Sequence, residues 1–418
     1  MDLTLYSWDL IFYNMDEQIK NKIEELFQST PEGVGVMLGN KITNGEYTGE
    51  ESIVFTVEKK KPLSDLTPEE ILPSEVEIDG KVYKTDVFET GEIKAFACPS
   101  SILNACYSWQ SIPPQNRQTI RPLKGGVSLT SQNLQGYVGT LGFLAVDTAT
   151  GALVGITNNH VVIADAYYAN FRSPTGIIQN ESSDNAYQSG DIQPSPSSLK
   201  IGEVLRYVPI SEPPTYNQVD GAMISISQSV MSDSESFKQL GLSGTSVMPF
   251  ATTSEINALV GNTLGSSSGR SSGVKQGPLC GLTIQGINYV TGVSGYKQQG
   301  TSTVAYFNNC ISFTRANPDC LYPIYPGDSG SALVATIGGV DKIIGLCFAG
   351  GNTIGIASRI DEVASQLGIS AWNGTTPEFV DLTTKKLVTV AGLSNTKTIT
   401  CSGDTLWQVG IINAVRIC

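Results

Sequence analysis

Pro326-Gly327-Asp328-Ser329-Gly330-Ser331, PGDSGS, lies between the mostly uncharged run LYPIY and the strand-like run ALVATI. A serine between two glycines, at a bend just before a strand, stands clear of its own backbone. Glycine allows close main-chain approach and dihedrals closed to other residues. The expectation is that the amides of Gly327 and Ser329 point at one spot, where a tetrahedral oxyanion would develop. An ordinary polar turn accounts for the same residue types, and GDSG arises by chance in roughly a few per cent of chains this long. The motif needs a base and an acid elsewhere before it means chemistry.

Charged residues make up 16% of the 418-residue chain, against about 25% in an average globular protein. Gly, Ser, Thr and Asn fill the space, which favours β structure with many turns. The net charge of −13 argues against a nucleic-acid partner, whose phosphates need Lys and Arg. The first residues lack a signal-peptide pattern, and no apolar run approaches the ~20 residues of a membrane span. A soluble product made without Sec export is expected, cytoplasmic, with a virion or non-classical export as the alternative; membrane insertion is not expected. The eight cysteines lack close C-x-x-C pairs, so free thiols are the default. The spacings 98/106, 310/320 and 401/418 would each permit a local bridge in an oxidising setting. His160 is the one histidine. Zinc catalysis is therefore not expected, no cofactor is implied, and any imidazole base must be His160.

Residues 14–29 carry Ile19, Ile23, Leu26 and Phe27 at helical spacing. Residues 33–48 and 51–58 read as strands about Asn44-Gly45, and a second hairpin turns at Asp79-Gly80. Thr67-Pro68-Glu69-Glu70 has the form of a helix start. The lysine run 59–61 reads as a solvated strand end. From 125 onward, short β-type runs separated by Gly, Ser and Asn point to a barrel or sandwich, closed by a helix at Asp361–Leu367. The division expected is a helical arm at 1–30, a small α+β accessory domain at 31–110, a linker at 111–124, the main β domain at 125–372 and a β-rich tail at 373–418.

His160 lies in TNNHVV at the end of the strand-like ALVGIT. An imidazole acting as a base needs a carboxylate to hold its tautomer. Asp165 is too near in sequence, and Asp184 and Asp191 sit in a polar loop. Asp220 instead heads the apolar run VDGAMISI, and a carboxylate entering a core needs a partner. A strand-start aspartate capping a turn is the plainer alternative.

The order His, Asp, Ser in NNHV, VDGAMISI and PGDSGSAL resembles the chymotrypsin/trypsin-like serine peptidases, and is similar to bacterial-type members in which a GTLG strand and NNHV precede GDSGS. The resemblance covers about 120 to 368 and includes RPLKGGVS, GTLGFLAVD and IIGLCFAGGNTIGIASRI. It implies a mainly β fold, a chymotrypsin-like double β-barrel carrying the accessory domain and tail. It further implies a serine endopeptidase with His160 as general base, Asp220 as orienting acid and Ser329 as nucleophile. Gly327 and Ser329 would supply the oxyanion amides, with a protein or peptide as substrate. Pro323, Phe348, Ala349, Gly350 and Gly355 match the specificity pocket. Pro323 stands where trypsin-specific members carry an aspartate, and glutamate-specific relatives use a pocket histidine that this chain does not have. An apolar P1 side chain is therefore expected. No zymogen cut is expected either, although Lys124-Gly125-Gly126-Val127 vaguely matches such a junction. That leaves the partner of Asp328 unnamed. A structural or adhesive barrel, or a protease that cuts only itself, are the competing functions; oligomeric state is not readable.

Overall fold

Short β-branched and apolar runs punctuated by glycine produce strands, and twisted strands of that kind close on themselves to remove exposed edges. The computed structural model describes residues 5–372, except 32, 44–45, 96–97, 100–114, 133–136, 164–184, 189, 191–194, 196, 232–237, 243–247, 260–262, 299–300 and 318–321; beyond 372 it describes 378–381, 386–389, 408–409 and 412–413. The chain is mainly β, with two large sheets.

In the first sheet Val127–Ser131 pairs with Tyr137–Leu141, and after Gly142 the chain continues as Phe143–Asp147. That strand pairs with Leu153–Thr157, which leads through Ala222–Ser225, Lys200–Tyr207 and Asn185–Tyr187 back to Val127–Ser131. The ring is closed. In the second sheet Leu264–Gly269, Leu282–Gln298, Thr301–Arg315, Gly355–Arg359, Val340–Gly350 and Ala332–Ile337 pair in that order, and the last returns to the first. The chain thus forms a double β-barrel.

Val127, Leu129, Leu141, Leu153, Ile201 and Ile224 fill the first barrel. Ile284, Ile311, Phe313, Leu333, Ile344 and Leu346 fill the second, in one cluster with Phe143, Ile156 and Met223 of the first. The two barrels therefore share a core, and each buried Leu, Ile or Phe side chain contributes about 1.5–3 kcal/mol. The helix Ile360–Leu367 closes the unit, capped by Gly368 at φ 67°, and Ile369–Ser370 returns to pair with Phe143–Asp147.

The helix Leu5–Ser29 starts earlier than its sequence pattern indicates and buries Ile19 and Ile23 against Val36, Ile53, Phe55 and Val290. Gly35–Thr43 pairs with Glu46–Val57, and Lys81–Glu89 joins on in parallel with Glu75–Ile78 at its edge. Asp79 and Gly80 turn that last hairpin with φ of 49° and 76°, the pair of positive values a two-residue turn of this kind requires. Thr67-Pro68-Glu69-Glu70 forms one 3₁₀ turn with a capping box rather than an α-helix. The Asn44-Gly45 turn and Pro113-Pro114 lie outside the described residues.

Gly35–Thr43 also pairs with Leu282–Gln298 of the second barrel, with Val36 opposite Val290 and Leu38 opposite Ile287. The N-terminal strands are thus hydrogen-bonded into the barrel sheet, not joined to it by a linker alone. In the tail, Glu378–Asp381 pairs with Lys386–Thr389 and Gln408–Val409 with Ile412–Asn413. Cys310 is a buried free thiol donating to the Asn308 carbonyl at 3.3 Å, so the 310/320 bridge is not made. No helix among the described residues is long and apolar enough to cross a membrane.

Candidate active site

Leu153–Thr157 delivers the chain to a single helical turn, Asn159–Val162, which carries His160 at 6% exposure. Both preceding asparagines fix this turn. Asn158 Nδ2 donates to the Asp220 carbonyl and Asn159 Nδ2 to that of Val208, each at 2.6 Å. Asp220 lies two residues ahead of Ala222–Ser225, the strand beside Leu153–Thr157, so the barrel register brings the two residues face to face. His160 Nδ1 lies 2.6 Å from Asp220 Oδ2, and the His160 amide donates to Oδ1 at 3.3 Å. His160 Nε2 is buried and makes no hydrogen bond among the described residues.

A fully buried carboxylate such as Asp220 costs several kcal/mol unless donors surround it. A third donor completes the set: Tyr296 Oη donates to Asp220 Oδ2 at 2.5 Å. Tyr296 is fully buried near the end of Leu282–Gln298, edge-on to His160 with ring centroids 6.1 Å apart. Burial first, and then the negative Asp220, push its phenol well above the usual tyrosine range, so it stays a neutral donor. Sequence reasoning missed Tyr296. Nothing local in INYVTGVSGYKQ marks it, since its partner is 76 residues away.

The PGDSGS loop is held by the strand Tyr137–Leu141. Thr140 N–H donates to the Ser329 carbonyl and Thr140 Oγ1 to that of Gly327, both at 2.8 Å. Gly330 has φ of 94°, and a Cβ there would stand 2.1 Å from the Thr140 carbonyl oxygen, so only glycine fits. A Cβ at Gly139 would meet both Val161 Cγ2 at 2.5 Å and the Ser329 carbonyl oxygen at 3.0 Å. The His160 turn and the Ser329 loop therefore converge on one strand. Ser329 Oγ donates to the Phe348 carbonyl at 3.3 Å.

Asp328 faces inward. Its Oδ1 accepts from the amides of Ser271 and Ser272 at 2.8 and 2.9 Å, and its Oδ2 from that of Tyr325 at 3.0 Å. Lys275 Nζ lies 3.5 Å from Oδ2 and donates to the Pro323 carbonyl at 2.6 Å. The partner that sequence could not name is thus a buried lysine with three backbone amides. Gly125, at the junction-like stretch, is paired within the fold: its amide donates to the Lys238 carbonyl and its carbonyl accepts from Leu240.

Pro323 lies in a bend before the nucleophile loop, Phe348, Ala349 and Gly350 end the strand Val340–Gly350, and Gly355 opens the strand Gly355–Arg359; all five are buried. A Cβ at Gly350 would lie 2.2 Å from Ile324 Cγ2, and one at Gly355 would lie 2.3 Å from the Phe313 ring. The chain's own Ile324 and Phe313 thus use the room those glycines leave. Phe348 stacks on Phe307 at 4.6 Å, and Phe307 on Tyr296 at 5.6 Å.

No family model matches the chain and no curated protein does. Among solved structures it is similar to a glutamic acid-specific serine protease, at 15% identity over 60% of this chain and 100% of that one, with a TM-score of 0.35. It is also similar to Thermobifida fusca protease A, at 15% identity over 60% and 97% of the two chains (TM-score 0.36). Cellulomonas bogoriensis chymotrypsin gives 16% identity over 60% and 98% (TM-score 0.35).

Proposed function

We propose that this chain is a chymotrypsin-like serine endopeptidase working through His160, Asp220 and Ser329. The observation that carries the reading is the buried His160–Asp220 pair with Nε2 uncommitted, the His160 turn packing through Val161 on the strand Tyr137–Leu141 that also holds the Ser329 loop. Ser329 Oγ turns from the Phe348 carbonyl towards Nε2, gives up its proton to His160 and attacks a peptide carbonyl. His160 then protonates the leaving amine, and water releases the acyl group. Asp220 holds the imidazole and stabilises its cation, and Tyr296 positions Asp220. The Gly327 and Ser329 amides stabilise the oxyanion.

With Lys275 and three amides already on Asp328, the oxyanion loop is ordered without a new N-terminus, and no activating cut at Gly125 is needed. The P1 side chain is apolar, because Pro323 offers no charge to a basic residue and the chain holds no second histidine. The test is fluorophosphonate labelling followed by intact mass. Wild type gains one adduct and Ser329→Ala none, while His160→Ala slows labelling on the order of 10⁴-fold or more. An unlabelled, folded wild type would refute the reading.

A further inference from the structure

The strands Leu264–Gly269 and Gly273–Lys275 are joined by Arg270-Ser271-Ser272, with Gly269 opposite Gly273. Polar connections of this kind run over the surface as a rule, yet these three residues are only 0–2% exposed. What buries them includes the PGDSGS loop. A Cβ at Gly327 would stand 2.5 Å from Ser271 Oγ and 3.3 Å from Arg270 Nη1. Ser271 Oγ donates to the Pro326 carbonyl at 2.5 Å, and Arg270 Nη1 donates to Ser271 Oγ at 3.0 Å. A hydroxyl has one proton to give. With the guanidinium on its lone pair, that proton goes to Pro326, in a chain of bonds strengthened by the charge behind it. On the other flank the Arg270 amide donates to Thr140 Oγ1 at 2.9 Å, the hydroxyl that holds the Gly327 carbonyl.

The contact at Pro326 decides where the next amide points. Tyr325 to Asp328 form a β-turn closed by the Asp328 amide on the Tyr325 carbonyl at 2.9 Å. Proline stands second in it, and Gly327, with φ of 94°, stands third, the pattern of a type II turn. Types I and II keep the same closing bond and differ by about a half-turn of the central peptide. Here that peptide is Pro326–Gly327, and its carbonyl and N–H point in opposite directions because a trans peptide is planar. Holding the carbonyl on Ser271 therefore sends the Gly327 N–H away from Ser271. Gly327 is buried, and among the described residues its N–H meets no acceptor. Buried backbone donors are rarely left so. In the type I form a carbonyl oxygen would take the place of that N–H, and it would repel an oxyanion.

We propose that Ser271, oriented by the Arg270 guanidinium, is a positioning residue for the reaction at Ser329. It holds the Pro326–Gly327 peptide in the form that presents the Gly327 N–H to the oxyanion. This rests on the peptidase reading above and names what keeps the oxyanion site of that reading in order. Ser271 acts through one peptide plane rather than on the substrate itself. Its loss therefore weakens the transition state, in which the oxygen is charged, and leaves ground-state binding as it was.

The experiment compares the full chain as wild type, Ser271→Ala and Ser271→Thr. Labelling rates at several fluorophosphonate concentrations separate probe binding from the bond-forming step. A trifluoromethyl ketone, whose hemiketal on Ser329 carries the oxyanion, is followed by fluorine NMR against pH. Ser271→Ala should slow the bond-forming step at least tenfold, up to the roughly 10²–10³-fold cost of losing an oxyanion donor outright. The half-saturating probe concentration should not change. The hemiketal should lose its proton about one pH unit higher for each tenfold. Ser271→Thr keeps the hydroxyl and should restore both readouts. If Ser271→Ala does not fold, Ser271→Cys, with a weak donor of similar shape, takes its place with the same expectations. A folded Ser271→Ala that bonds the probe at the wild-type rate, or is slowed with the hemiketal titration unmoved, overturns this inference and leaves the peptidase reading standing. So does a folded Ser271→Thr that reacts no faster than Ser271→Ala. A folded wild type that neither labels nor forms the hemiketal overturns both.

Discussion

Replacing Tyr296 with Phe keeps the ring on Phe307 and deletes the oxygen that donates to Asp220 Oδ2 at 2.5 Å. A hydrogen bond to a charged group contributes about 1.5–3 kcal/mol net. At 1.36 kcal/mol per tenfold in rate, losing all of it in the transition state would slow acylation by roughly 10- to 150-fold. The assay is the second-order rate of fluorophosphonate labelling of the folded variant, read beside its melting temperature. A purely structural tyrosine would lower the melting temperature and leave the labelling rate of the folded fraction unchanged. Tyr296→Phe that is folded and labels at the wild-type rate refutes the assignment.

Lys275→Met leaves Asp328, buried to 2% side-chain exposure, without its ammonium, and breaking a buried pair this way costs about 3–5 kcal/mol. The unfolding free energy extrapolated from urea should fall by that amount and labelling should fall with it, because the amides held by Asp328 order the nucleophile loop. Asp361 gives a pH signature. Burial raises its pKa, but the Arg359 guanidinium and Thr253 hydroxyl outweigh burial and hold the carboxyl below the usual aspartate value. A depressed carboxylate contributes stability that is present above its unfolded value, near 4, and is lost as pH falls through the folded one. Wild type should therefore lose more stability than Asp361→Asn when urea midpoints at pH 7 are compared with those at about pH 3.

The parts of the site legible in sequence were those whose chemistry and local setting coincide. His160 was forced by being the one imidazole, and Asp220 by standing at the mouth of an apolar strand. Ser329 was marked by glycines whose conformations the loop needs. Tyr296 and Lys275 were illegible because a tyrosine and a lysine near β-type runs have many ordinary reasons to be there. Their partners lie 76 and 53 residues away, at 220 and 328, across a barrel closure that no local pattern encodes. The accessory region was read correctly as strands about an Asp-Gly turn. Its attachment was not, because Gly35–Thr43 meets Leu282–Gln298 with Val36 and Val290, residues indistinguishable from any core pair. The pairing of the strand Lys94–Ala95 with Ser294 and with Ala349–Gly350 was invisible for another reason: two residues carry no periodicity.

Leu282–Gln298 ties these observations together. Its first residues close the second barrel against Leu264–Gly269, its middle pairs with Gly35–Thr43, and its end supplies Ser294 and Gly295 to the strand Lys94–Ala95 and Tyr296 to Asp220. Val36, Leu38, Ile53 and Phe55 are buried in or beside this junction, and at about 1.5–3 kcal/mol each they offer roughly 6–12 kcal/mol of gross burial. The strand that anchors the N-terminal sheet is also the one whose Tyr296 donates to the buried Asp220 carboxylate, so loosening that sheet should disturb the candidate site as well as the fold.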